Sequence, residues 1–186
     1  MVKTKTNYRG FTLIELLIVI GIIGFLAAAI LVAVDPVKRI QSARDAKRWS
    51  EVNAVLNAIL NKQVDDRATY GGSTHYPIIS SDTYGQIIID IPADTIGVPT
   101  TCVGLAASNC TNKTFNNAAG AADCYVNLGY TGGTNPLIPN YLAAVPEDPN
   151  GGTTNNTKYY LEKYSSGRLE IGACAPEQTA TISVKR

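Results

Sequence analysis

Arg9-Gly10-Phe11-Thr12-Leu13-Ile14-Glu15 opens a run that stays apolar, Glu15 apart, from Phe11 to Val34. These 24 residues form a helix of roughly 36 Å at about 1.5 Å per residue. A hydrocarbon core is about 30 Å thick, so the segment spans it with some tilt. The apolar region of a secretory signal peptide is shorter, about 7–15 residues, and a soluble core helix shows a polar face that this one lacks. A membrane helix is the reading. Glu15 is its anomaly, because a carboxylate at mid-helix costs about 2.5–3.5 kcal/mol to insert. Either it lies near enough to the membrane edge to stay hydrated, or it has a partner.

The basic leader ending in Gly10, the following Phe11 and the carboxylate at Glu15 together resemble the type III signal segment of type IV pilins and type II secretion pseudopilins. The resemblance covers about the first third of the chain. It implies cleavage between Gly10 and Phe11 by a prepilin peptidase that also methylates Phe11. It also implies that Glu15 is an assembly residue, pairing with the new amine of a neighbouring Phe11 when helices pack into a filament. A buried pair of that kind sets register more than it adds stability. The expected partners are copies of the chain, the peptidase and methyltransferase, an assembly platform with its ATPase, and the membrane.

Net charge is +1, but Lys3, Lys5 and Arg9 lie in the leader; without them 13 basic residues face 15 acidic ones, about −2. That balance does not point to nucleic acid as a specific partner. The leader's basic residues favour a cytoplasmic N-terminus, whereas Lys38, Arg39, Arg44, Lys47 and Arg48 beyond the span favour the reverse. All four cysteines follow the span, and long C-terminal domains translocate largely regardless of charge, so N-in is expected. The destination that the resemblance implies is the cytoplasmic membrane, then an extracellular filament.

The expected organisation is leader 1–10, membrane or filament-core helix 11–34, amphipathic continuation 35–66 and globular head 67–186. The fold class is α+β: a long N-terminal helix on a small C-terminal antiparallel sheet, as in the pilin fold that the resemblance implies. Pro36 clashes with the carbonyl of Val32, so a kink is expected there. Gly21 and Gly24 each weaken the helix by about 1 kcal/mol relative to alanine. They mark either a stretch that unwinds on assembly, as the resemblance implies for Gly24, or close helix packing. In the continuation, Ile40, Ala43, Val52, Leu56, Ile59 and Leu60 read as the apolar face. Lys38, Arg39, Arg44, Lys47, Arg48 and Glu51 read as a solvated one, and Trp49 as a packing residue at the border.

The second half is rich in Gly, Asn, Thr and Tyr. A break at 68–77 carries the one histidine, His75, without ligand-spaced neighbours. Ile87 to Ile91 reads as a short buried strand. Cys102, Cys110, Cys124 and Cys174 lack metal-ligand spacing and imply two disulfides; Cys102–Cys110 with Cys124–Cys174 is the expected pairing of three possible ones. The stretch Val145-Pro146-Glu147-Asp148-Pro149 resembles the loop before the last hairpin of pilins, near which pseudopilins bind calcium. Glu147, Asp148 and Asn150 offer oxygens, but calcium takes about 6–8, and a turn with Asp148 bonding its own backbone is the simpler reading. Lys158–Tyr164 and Arg168–Cys174 flank a Ser165-Ser166-Gly167 hairpin signal, with a third strand within Thr179–Lys185. Tyr159, Tyr160 and Tyr164 read as cross-strand and core packing. Three Asn-x-Thr triplets begin at Asn109, Asn112 and Asn155.

No phosphate loop, nucleophile–base pair or metal constellation is visible, so no enzyme and no cofactor is expected. The leading function is structural subunit of a type IV pilus. The rivals are a type II secretion pseudopilin, a minor pilin, and an enzyme or binding domain on an uncleaved anchor. The four cysteines lean against the pseudopilin.

Overall fold

A computed structural model describes residues 10–66, 85–91, 110, 113, 115, 124–131 and 136–186. His75 and Cys102 lie outside them. The chain forms two compact units, Met1–Ile40 and Gln41–Arg186.

The first unit is built on α1 (Leu13–Val34), none of whose residues is buried. It is long and apolar enough to cross a membrane. Asp35 then takes a left-handed conformation (φ 42°) and ends it, and Pro36 opens α2 (Pro36–Asp66). The physical cause differs in detail from a proline inside a continuous helix. A residue before proline is pushed out of the α region, while proline fits the first helical position, where no hydrogen-bonding N–H is required. Asp35 caps the new helix, accepting from Lys38 N–H at 3.3 Å, and ion-pairs with Lys38 Nζ at 3.2 Å.

The second unit packs α2, from Gln41 onward, against a five-stranded sheet of order β2-β1-β3-β4-β5. The strands are β1 (Gln86–Ile89), β2 (Tyr125–Asn127), β3 (Tyr159–Lys163), β4 (Leu169–Ala173) and β5 (Ile182–Lys185), with a short α3 (Leu137–Asn140) before β3. The fold class is α+β as expected, but the sheet is mixed. β1 pairs parallel with β2, whereas β1–β3, β3–β4 and β4–β5 are antiparallel. A parallel neighbour needs a long crossover, and the stretch between Ile89 and Tyr125 supplies it.

Val52, Val55, Leu56 and Ile59 of α2 meet Ile88, Tyr159, Leu161, Leu169, Ile171 and Ile182 in the main core. Alternation on the same strands sends Ile87, Ile89 and Tyr160 to the outer face, with Ile91, Phe115 and Cys174. The hairpin turn closes through Tyr164 N–H to Arg168 C=O at 2.9 Å, with Gly167 at φ 83°.

The face of α2 read from apolar spacing needs correction at its start. Ile40 is 54% exposed and Ala43 is exposed, while Asp45 and Arg48 are buried. Trp49 is 39% exposed instead of packed. The buried stripe begins with charged residues, so a rule that follows hydrophobicity cannot trace its first two turns. Arg48, with no exposed surface, donates from Nε and Nη2 to the two oxygens of Asp148 at 2.7 and 2.9 Å. Its Nη1 reaches Asp45 at 2.6 Å and Glu177 at 3.2 Å. Asp45 also accepts the backbone N–H groups of Glu177, Gln178 and Thr179, and Arg44 meets Glu177 at 2.9 Å. One turn of helix thereby binds the loop before β3 and the loop before β5. Farther along, Tyr159 donates to Glu51, Tyr141 to Asp65 at 2.8 Å and Arg186 to Asn57 at 2.9 Å.

Burial pulls the Asp45 carboxyl upward, but the N–H donors of Glu177 and Gln178 and the Arg48 guanidinium outweigh it and hold it below the usual range. Glu170 on the outer face is likewise held down, with Tyr164, Tyr160, Lys113 and Lys185 outweighing burial. A carboxylate depressed on folding stabilises the fold above its unfolded value of about 4, and that stability is lost as pH falls through the folded value.

Two outcomes follow for the full chain unfolded by urea. Arg48→Met leaves three carboxylates without their shared counter-charge and is expected to cost about 3–5 kcal/mol. Stability is expected to fall steeply below about pH 4. An Asp45→Asn variant, neutral at every pH, is expected to show a shallower acid loss than the parent.

Candidate processing and assembly site

The junction between Gly10 and Phe11 precedes the helix and is open: Gly10 and Phe11 are non-helical, and Phe11 is 91% exposed. The first helical residue is Leu13, with Thr12 as its N-cap. Thr12 and Glu15 form a capping box. Glu15 N–H donates to the Thr12 hydroxyl at 3.3 Å, while the Thr12 N–H and hydroxyl donate to one Glu15 carboxylate oxygen at 2.8 and 2.7 Å. The arrangement follows from spacing, because a threonine three residues before a glutamate places each side chain against the other's backbone. Thr12 is the residue that the reading of the apolar run passed over, although Thr-x-x-Glu is itself a helix-start signal.

The box has two chemical consequences. It starts the helix at Leu13, leaving the Gly10–Phe11 bond outside it. It also supplies two donors to a carboxylate in the first turn of an apolar helix, where the helix dipole favours negative charge. Glu15 carries the one charged side chain between Phe11 and Val34.

Gly21 and Gly24 lie inside α1, and a Cβ at either would meet nothing within 4 Å. Neither is required by packing within the unit, so their smallness is available to a neighbouring helix or to unwinding.

The cysteines pair differently from the expected scheme. Cys110 is bonded to Cys174, which overturns both Cys102–Cys110 and Cys124–Cys174; Cys124 is itself disulfide-bonded. The reason is tertiary: Cys174 follows β4 on the sheet's outer face, in a cluster with Phe115 and Tyr160 against which Cys110 packs. Loop-length reasoning favours short closures and has no access to that cluster.

The residues weighed for calcium are otherwise engaged. Asp148 gives both carboxylate oxygens to Arg48 and one of them also to Asn150 N–H at 2.7 Å, the self-bonding turn expected from sequence. Asn150 Nδ2 donates to Glu177 at 3.3 Å, and Glu147 is half-buried beside this turn.

A family model described as the prokaryotic N-terminal methylation motif matches residues 5–31. No curated protein and no solved structure matches the chain. The chain thus carries the leader of type IV pilin-like proteins, a group of structural proteins and not of enzymes. The leader is read by a prepilin peptidase, and the apolar helix behind it is consistent with membrane anchoring before assembly.

Peptide mapping of the unreduced chain is expected to recover Cys110 and Cys174 in one linked fragment. Replacing both by serine opens a loop of 64 residues and is expected to cost about 4 kcal/mol in denaturant unfolding, on the chain-entropy relation.

Proposed function

We propose that the chain is the structural subunit of a type IV pilus, cleaved between Gly10 and Phe11, methylated on Phe11 and polymerised through its N-terminal helices. The observation that carries the reading is the matched leader joined to a helix whose single carboxylate is held by its own N-cap. Before assembly, Thr12 satisfies Glu15 locally and so lowers the cost of keeping it at membrane depth. On assembly the positive amine of a neighbour's Phe11 replaces those donors, and the exchange of two neutral donors for a charged one favours correct register.

The head supports the pilus over the secretion alternative through two features. It is closed by disulfides, as suits an oxidising exterior. In addition, Asp148 is taken up by Arg48 in the loop where calcium binding would be sought. The N-terminus stays on the cytoplasmic side while the head crosses; after assembly the helices form the filament core and the head its surface. An assembly platform with an ATPase supplies the work.

Intact mass and N-terminal sequencing of filaments sheared from cells test this. A dominant chain starting at methylated Phe11 is the expected result. Processed chain confined to membranes points instead to a pseudopilin or minor pilin, and a chain starting at Met1 sinks the filament reading. Glu15→Val is expected to leave cleavage intact, to raise processed subunit in the membrane and to abolish sheared filaments.

A further inference from the structure

The turn that meets Arg48 contains Asn150-Gly151, the one Asn-Gly step in the chain. We propose that this step is a site of spontaneous deamidation, and that its product loosens the charged junction between α2 and the loops before β3 and β5.

Three observations support it. First, the attacking atom is unencumbered. Gly151 is exposed, its lack of a Cβ leaves the approach open, and no backbone group among the described residues accepts its N–H. Second, the Asn150 side chain is exposed and anchored at its leaving end, where Nδ2 donates to Glu177 at 3.3 Å. Third, the turn around it is closed by hydrogen bonds that the product disturbs. Asn150 N–H donates to Asp148 at 2.7 Å, Lys158 Nζ donates to Asn150 C=O at 2.7 Å, and Gly152 N–H closes the turn on Asp148 C=O at 2.9 Å.

The chemistry needs only water. The Gly151 amide nitrogen loses its proton to base and attacks Asn150 Cγ. The new C–N bond forms as the Cγ–Nδ2 bond breaks, and ammonia leaves with a proton taken from water. Water then opens the cyclic imide at either carbonyl, giving aspartate or isoaspartate at position 150. No electrons are transferred.

The product matters because of where it lies. The junction holds two guanidinium groups, Arg44 and Arg48, against the carboxylates of Asp45, Asp148 and Glu177. Asn150 is a neutral donor to Glu177 at the edge of that cluster, with the Lys158 ammonium on its own carbonyl. Conversion removes the donor to Glu177 and adds a fourth carboxylate beside it, so attraction becomes repulsion. The isoaspartate route also adds a backbone atom to a turn held by three hydrogen bonds. A long-lived head would therefore carry a slow clock in this turn.

Incubation of the full processed chain at mildly alkaline pH, in oxygen-18 water, followed by peptide mapping tests the site. The expected result is labelled aspartate and isoaspartate at position 150, a gain of about 1 Da in ordinary water, at a rate that rises with pH and exceeds that at Asn155. Conversion at position 150 no faster than at Asn155 overturns the site. Asn150→Asp is expected to lower the melting midpoint at neutral pH by about 2–4 °C, while Asn150→Gln, still neutral and much slower to cyclise, stays near the parent. Equal melting of Asn150→Asp and the parent overturns the effect on the junction. This inference is independent of the pilus reading, since it needs only the head.

Discussion

A guanidinium without solvent contact is the constraint around which the head is arranged. Taking Arg48 out of water costs several kcal/mol unless every donor finds a partner. Three parts of the chain therefore converge on it: Asp45 from its own helix, Asp148 from the loop before β3, and Glu177 from the loop before β5, whose backbone amides also hold Asp45 in place. Such a junction specifies orientation more than it stabilises, because an apolar replacement pair would bury as well but would tolerate sliding. The apolar stripe beginning at Val52 supplies the area, and Arg48 with Tyr159–Glu51 sets where along the helix the sheet must sit.

The outer face of the sheet meets a related problem on a smaller scale. Glu162 and Glu170 stand directly opposite one another on β3 and β4, a pairing that repels. Lys113 ion-pairs with Glu162 and lies 3.9 Å from Glu170, which also takes Lys185 at 3.3 Å and the hydroxyls of Tyr160 and Tyr164 at 2.9 and 2.6 Å. Lys185 stacks over the Tyr164 ring at 3.7 Å. Burial, reinforced by Glu170, pushes both tyrosine hydroxyls upward, so they remain donors throughout the physiological range. The Cys110–Cys174 bond brings Lys113 to this face. The tyrosines thus pack as expected from their strand positions, but their hydroxyls neutralise a carboxylate that the strand pattern alone leaves unexplained.

At the other end of the chain, local rules suffice. Thr12 and Glu15 cap α1, and Asp35 with Pro36 ends one helix and starts the next, through contacts no more than four residues apart. Nothing distant is needed, and the family model that matches here spans only residues 5–31.

The same division separates what was legible from what was not. Sequence by itself determined the membrane-length helix, its break near Pro36, the terminal hairpin and the α+β class, because each follows from local spacing; the Thr12–Glu15 cap was equally local but was not read there. Tertiary structure alone decided that β1 and β2 run parallel, that Arg48 and Asp45 are buried while Ile40 and Trp49 are not, and that Cys174 bonds to Cys110. In each of these the energy lies in a contact between residues tens of positions apart. A charged side chain reads as solvated until the opposite charges that bury it are brought alongside, and only the folded chain brings them there.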